Sequence, residues 1–120
     1  MKNILIINTG GTISCVQSPH GFEPKRGFIP EQLSLMPELR AENMPGYRVL
    51  EYDPLIDSSN ITIEDWNNLA KTIAEQYDYY DGFIILHGTD TLSYTASALS
   101  FMLENLEKPV ILTGSQIPFY

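Results

Sequence analysis

The sequence predicts an α/β domain built on a doubly wound parallel sheet with flanking helices, incomplete at its C-terminus and lacking a second domain. Two observations carry that expectation. The apolar runs Ile4–Ile7 and Phe83–Leu86 show no polar alternation, which suits strands covered on both faces. Between the strand-like runs lie segments with helical spacing. The resulting order is strand, loop, strand, helix, strand, helix, strand, the pattern of a parallel sheet with crossover connections.

Bulk properties narrow the function classes. At 120 residues the chain is one domain at most, residues 1–120. A formal net charge of -8 and a pI near 4.5 leave no basic patch to displace counterions from phosphates, so nucleic acid is not an expected partner. The single cysteine, Cys15, has no partner for an internal disulfide and fits a reducing compartment. The N-terminal apolar run is four residues long, too short for a signal peptide or a membrane span. A cytoplasmic protein with no membrane partner is the expectation.

Ile4–Ile7 reads as the first strand, and Thr9-Gly10-Gly11-Thr12 comes directly after it. Two glycines let the backbone turn sharply and approach a ligand closely, which places the Thr12 hydroxyl just beyond the strand end. The element matches neither the dinucleotide nor the P-loop glycine pattern, and no cofactor is expected. Pro19, Gly21, Pro24, Gly27 and Pro30 punctuate the next segment, so residues 14–30 read as a long lid-like loop. Pro30–Met36 has the character of a short helix with proline at its first position. Tyr47–Tyr52 is a second, more polar strand, ending in the cluster Asp57-Ser58-Ser59.

Thr62 and Asp65 have capping-box spacing, and Ile63, Trp66, Leu69, Ala70, Ile73 and Tyr77 repeat at helical intervals behind them. The third strand, 83–87, runs into Gly88-Thr89-Asp90-Thr91. The helix expected over 93–105 carries no charge before Glu104, so it needs cover on both sides. Lys108–Thr113 is the fourth strand and Gly114-Ser115-Gln116 the turn after it. Four hydroxyl-rich turns at one sheet edge would form a polar pocket for a small zwitterionic or amide-bearing ligand. His20 and His87 are the only histidines, without ligand spacing to the cysteine, and the acids are widely spread; no metal set is expected. From the residues alone, a threonine nucleophile with Asp90 in a proton relay to Thr89 is conceivable and not established.

The strand with Thr9-Gly10-Gly11-Thr12-Ile13, the triplet Asp57-Ser58-Ser59 and the pentad His87-Gly88-Thr89-Asp90-Thr91 together resemble the signature elements of bacterial-type L-asparaginases. Tyr80–Thr91, the helix Tyr94–Leu106 and Thr113–Pro118 resemble the cytoplasmic type I branch in particular, and the likeness runs the whole chain. The resemblance implies that Thr12 is the nucleophile forming an acyl-enzyme from L-asparagine with release of ammonia. It implies a second catalytic group containing Thr89 and Asp90, with Asp90 also on the substrate α-amino group. Asp57, Ser58 and Ser59 then hold the α-amino and α-carboxylate ends. Family members are homo-oligomers, dimers or tetramers, of two-domain subunits, which would cover the uncharged helix.

Two departures stand out. The family's mobile loop carries a tyrosine on the nucleophile, and the aligned residue here is Phe22, which keeps the ring and loses the phenol. The chain also ends before the family's catalytic lysine and the smaller domain, so a truncated subunit, inactive by itself, is expected. The competing readings are an amidase acting on glutamine and a non-catalytic small-ligand or interaction module that retains the pocket.

Overall fold

The computed structural model describes residues 2–119, with the side chain of Ser58 outside the description. Four parallel strands form the main sheet: β1 (Asn3–Gly10), β4 (Gly46–Ile56), β5 (Gly82–Leu86) and β6 (Val110–Thr113), in the order β4-β1-β5-β6. A separate antiparallel hairpin, β2 (Cys15–Ser18) and β3 (Gly21–Pro24), leaves the end of β1. Helix α1 (Phe28–Ser34) lies between the hairpin and β4, α2 (Ile63–Gln76) between β4 and β5, and α3 (Leu92–Met102) between β5 and β6.

Period-two alternation within the buried strands builds two cores. Leu5 and Ile7 of β1 and Phe83 and Ile85 of β5 face α2 and α3, packing on Leu69, Ile73 and Leu99. Ile6 and Leu86 point the other way and meet Ile29 of α1. Helices therefore cover both faces, and the unbroken apolar runs are what a doubly covered strand requires. Fully burying a side chain such as Ile7 or Phe83 stabilises by about 1.5–3 kcal/mol.

The capping box on α2 is complete. Thr62 Oγ1 accepts from Asp65 N–H at 3.2 Å, and Asp65 Oδ2 accepts from Thr62 N–H at 2.8 Å. Helix α3 is apolar on both sides as expected, yet only one side is packed. Thr95 and Leu99 are buried, whereas Tyr94 and Phe101 are exposed, as is Ile111 on the free edge strand β6.

Several boundaries differ from the expectation. Residues 14–30 are not one irregular loop, because four-residue strands pair across 15–18 and 21–24; prolines at a strand end do not prevent such pairing. Helix α1 starts at Phe28 with Pro30 as its third residue, still within the turn where a missing N–H costs nothing. Helix α3 ends at Met102 rather than 105, with Asn105 at φ +55°. Strand β4 runs on to Ile56, and a register jump between Asn8–Glu51 and Gly10–Ile56 bulges 52–55 out of the ladder.

The Tyr52 hydroxyl, in that bulge, is buried with no hydrogen-bond partner among the described residues. Burial, followed by the Asp65 carboxylate, pushes its pKa up to about 12. A raised folded-state pKa means that the protonated phenol is favoured on folding. That contribution is complete below pH 10, the ordinary tyrosine value, and is lost as pH rises towards 12. Replacing Tyr52 by Phe removes an unpaired polar atom, so urea unfolding at pH 7 should show unchanged or higher stability, by about 1 kcal/mol. The same variant should lose less stability than wild type between pH 10 and 12.

Candidate active site

Strand order reverses between β1 and β5. From β1 the chain moves outward to β4, then returns across the sheet to β5 on the other side. Crevices at such switch points, outside the carboxyl ends of the strands, are where open α/β sheets bind ligands. The turns after β1 and β5 project there.

Glycine lets them touch. Gly11 has φ 87° and ψ 178°, a region essentially closed to side-chain-bearing residues. A Cβ on Gly11 would lie 2.5 Å from both Cα and N of Gly88. The two turns thus meet backbone to backbone, and the next residue of each, Thr12 and Thr89, flanks a common space.

A pocket of about 280 Å³ occupies that space. Thr12 and Gly11 line it from the β1 turn, and Gly88, Thr89 and Asp90 from the β5 turn. Asp57, just beyond β4, closes a third side, while Cys15, Phe22 and Pro24 of the hairpin form the roof. Such a volume is close to the lower bound for small-molecule sites. Two hydroxyls and two carboxylates around it suit an ammonium-bearing ligand with a further polar end. Helix α3 begins two residues beyond Asp90, and the positive end of its dipole favours negative charge at the rim.

Thr12 opens a single 3₁₀ turn, 12–14, that is tied down from behind. Ser14 Oγ donates to Asn8 Oδ1 at 2.8 Å, and Asn8 Nδ2 donates to Glu51 Oε2 at 2.8 Å. Both Asn8 and Ser14 are fully buried. Thr9 Oγ1 donates to Leu86 O at 2.8 Å, a further stitch between β1 and β5.

Most of the expected site residues come together. Thr12, Thr89, Asp90, Asp57 and Phe22 line one pocket. Ser59 is exposed in the turn behind Asp57, and its N–H donates to Asp57 Oδ1 at 3.1 Å. Ser58 falls outside the described side chains. Asn8, Ser14, Cys15 and Pro24 could not be picked out as site residues from the sequence. An asparagine at the end of an otherwise apolar strand was the one available signal for the first, since a buried amide demands partners. Among the described residues no group of three His, Cys, Asp or Glu could hold a metal ion. No helix among them is long and apolar enough to cross a membrane.

Fold and pocket define an α/β domain with a hydroxyl-and-carboxylate site at its switch point. Residues 3–120 match the family model for the asparaginase N-terminal domain, and the chain belongs to the asparaginase family. It is 58% identical over 117 residues to L-asparaginase 1 of Escherichia coli, covering 98% of this chain and 35% of that protein. The solved structure of L-asparaginase I from Vibrio cholerae superposes with a TM-score of 0.89 at 57% identity, covering 98% of this chain and 35% of that one. A structure described as the probable cytoplasmic L-asparaginase of Campylobacter jejuni gives a TM-score of 0.78 at 32% identity, with 98% and 36% covered. The chain spans about a third of the length of these relatives.

Cys15 sits in the pocket roof with its Sγ 3.4 Å from Gly11 O. Burial, and then the Asp57 carboxylate, push its thiol up from the ordinary 9.0. Less thiolate is therefore present at neutral pH than for a free cysteine. Alkylation by iodoacetamide at pH 7.5 should run at least about tenfold slower in the folded protein than in urea. The folded protein's rate should still be climbing above pH 9; a native rate equal to the unfolded one would contradict the burial of this thiol.

Proposed function

We propose that this chain is the N-terminal part of an amidohydrolase subunit that hydrolyses L-asparagine to L-aspartate and ammonia. The observation that supports it most is the shared pocket of Thr12, Thr89 and Asp90 at the switch point, together with the identity to L-asparaginase 1. In this reading Thr12 Oγ attacks the side-chain carbonyl carbon. A C–O bond forms, the C–N bond breaks, and ammonia leaves with the hydroxyl proton. Water then cleaves the ester, releasing aspartate and restoring the threonine. Thr89 and Asp90 take part in moving the proton, Asp90 and the Asp57–Ser59 turn hold the α-amino and α-carboxylate groups, and no cofactor enters.

By the same resemblance the full subunit is a cytoplasmic homo-oligomer, and residues beyond 120 complete the catalytic set. Glutamine is the nearest alternative substrate, one methylene longer in the same pocket. A second reading, a ligand-binding module without turnover, draws support from Phe22. It lines the pocket where the family places a tyrosine, and supplies no hydroxyl to Thr12.

Ammonia release from asparagine, measured on the natural polypeptide that contains this sequence, tests the proposal. Thr12→Ala should lower kcat by roughly three orders of magnitude or more, while calorimetry still detects aspartate. Phe22→Tyr should raise kcat by about 100-fold, the lower end of the about 10²–10⁴-fold that acid–base assistance is typically worth. Residues 1–120 alone should release no ammonia. Aspartate binding by the natural polypeptide without any turnover would establish the module instead.

A further inference from the structure

Behind the pocket, a line of hydrogen bonds, part-buried at Trp66 and fully buried at Thr95 and His87, crosses from the helix layer to the β5 turn. Trp66 Nε1–H on α2 donates to Thr95 Oγ1 on α3 at 2.8 Å. Thr95 Oγ1 lies 2.9 Å from His87 Nε2, and His87 Nδ1 lies 2.7 Å from Gly88 O. Thr95 is 0% and His87 1% exposed. An indole nitrogen only donates and a carbonyl only accepts, which gives the line one direction. Thr95 receives from Trp66 and passes its own proton to Nε2. The network thereby assigns His87 the Nδ1–H tautomer, with Nδ1–H donating to Gly88 O.

The end point of this line is what matters. Gly88 O belongs to the planar peptide joining Gly88 to Thr89, so holding that oxygen fixes the plane from which Thr89 and Asp90 emerge. The backbone of the same histidine also holds the turn after β6. His87 N–H donates to Thr113 O at 2.9 Å, and a Cβ on Gly114 would meet His87 O at 2.3 Å. Gly88 in turn abuts Gly11, one residue before Thr12.

We propose that Trp66, Thr95 and His87 form a positioning relay that sets the placement of Thr89 and Asp90 against Thr12. None of the three lines the pocket, so they are positioning residues rather than catalytic ones. Misplacement of reacting groups by about 1 Å can cost about 100-fold. Loosening a relay whose other anchors stay intact should cost less. The proposal rests on the amide-cleaving reading of Thr12, and the experiment separates the two.

In the natural polypeptide that contains this sequence, Thr95→Val removes the central hydroxyl at nearly constant shape. It should lower kcat for asparagine about tenfold with KM changed less than about twofold, because substrate contacts are untouched. Thr95→Ser, which restores the hydroxyl, should return kcat to within about twofold of wild type. Should Thr95→Val fail to fold, Thr95→Cys, close to Ser in size but a weak hydrogen-bonding group, takes its place in the comparison. ¹⁵N-histidine NMR, with His87 assigned by the signal lost in His87→Gln, should show protonated Nδ1 and an Nε2 resonance that moves when the Thr95 hydroxyl is removed. Folded Thr95→Val with wild-type kcat, equal loss in Thr95→Ser and Thr95→Val, or a protonated Nε2 with bare Nδ1 would each overturn the relay. The expected spectrum without any amide hydrolysis would overturn the reading of Thr12 and reduce the relay to a structural tie.

Discussion

Backbone contact between two turns is the constraint on which this site depends. With 2.5 Å between a notional Gly11 Cβ and Gly88, the β1 turn cannot carry a side chain at the crossing without pushing the two turns apart. Their approach is set by the pairing of β1 with β5, from Ile4–Gly82 to Asn8–Leu86, and by Thr9 Oγ1 on Leu86 O. Burial of Ile7, Phe83 and Ile85 holds those strands in register, because a one-residue slip would turn each apolar set to the opposite face. Apolar burial in the sheet thus determines the separation of two hydroxyls at its edge.

The polar groups nearest that edge are arranged in two tiers. Thr12, Thr89, Asp90 and Asp57 face the pocket and keep some or full exposure. Asn8, Ser14, His87 and Thr95 stand behind them, fully buried and hydrogen-bonded to one another's neighbourhoods. Polar groups buried this completely are costly unless paired, so their presence in the core of a 120-residue chain calls for a return in positional definition. Rigid support behind an accessible front is the arrangement that fixed geometry requires.

Much of this was legible in the sequence. The unbroken runs at Ile4–Ile7 and Phe83–Leu86 announced strands covered on both sides, and the spacing from Ile63 to Tyr77 announced the helix between them. Turn chemistry after each strand pointed to one rim; the parallel topology puts the four turns at that edge, but only those after β1, β4 and β5 line the pocket, and residues 113–116 do not. The hairpin was hidden because four-residue strands flanked by Pro and Gly leave no periodicity to read. The Trp66–Thr95–His87 line was hidden for another reason. Its members are 8 and 29 residues apart and belong to three elements, so only packing of α2 and α3 on β5 brings them together. Trp66 on the apolar stripe of α2 reads as core, and only its indole nitrogen departs from that role.

The hairpin roof is anchored at its base and free at its tip. Lys25 N–H donates to Ser14 O at 3.0 Å, joining the two ends of the hairpin. Gly27 N–H donates to Glu51 Oε1 at 2.7 Å, and Arg26 Nε donates to Tyr52 O at 3.0 Å. Glu51 therefore holds Asn8, beneath the Thr12 turn, with one oxygen and the exit of the hairpin with the other. Every residue of β3 is exposed, and nothing lies within 4 Å of a Cβ built on Gly21 at the tip. The hydrogen bonds that hold this roof to the rest of the domain therefore lie at its base. Phe22, adjacent to the tip, is over half exposed, whereas Cys15 at the base is buried. The aromatic ring that lines the pocket with Thr12 is thus carried by the exposed end of a well-anchored element, so a substitution at Phe22 alters the pocket wall without touching the hydrogen bonds that hold the Thr12 turn.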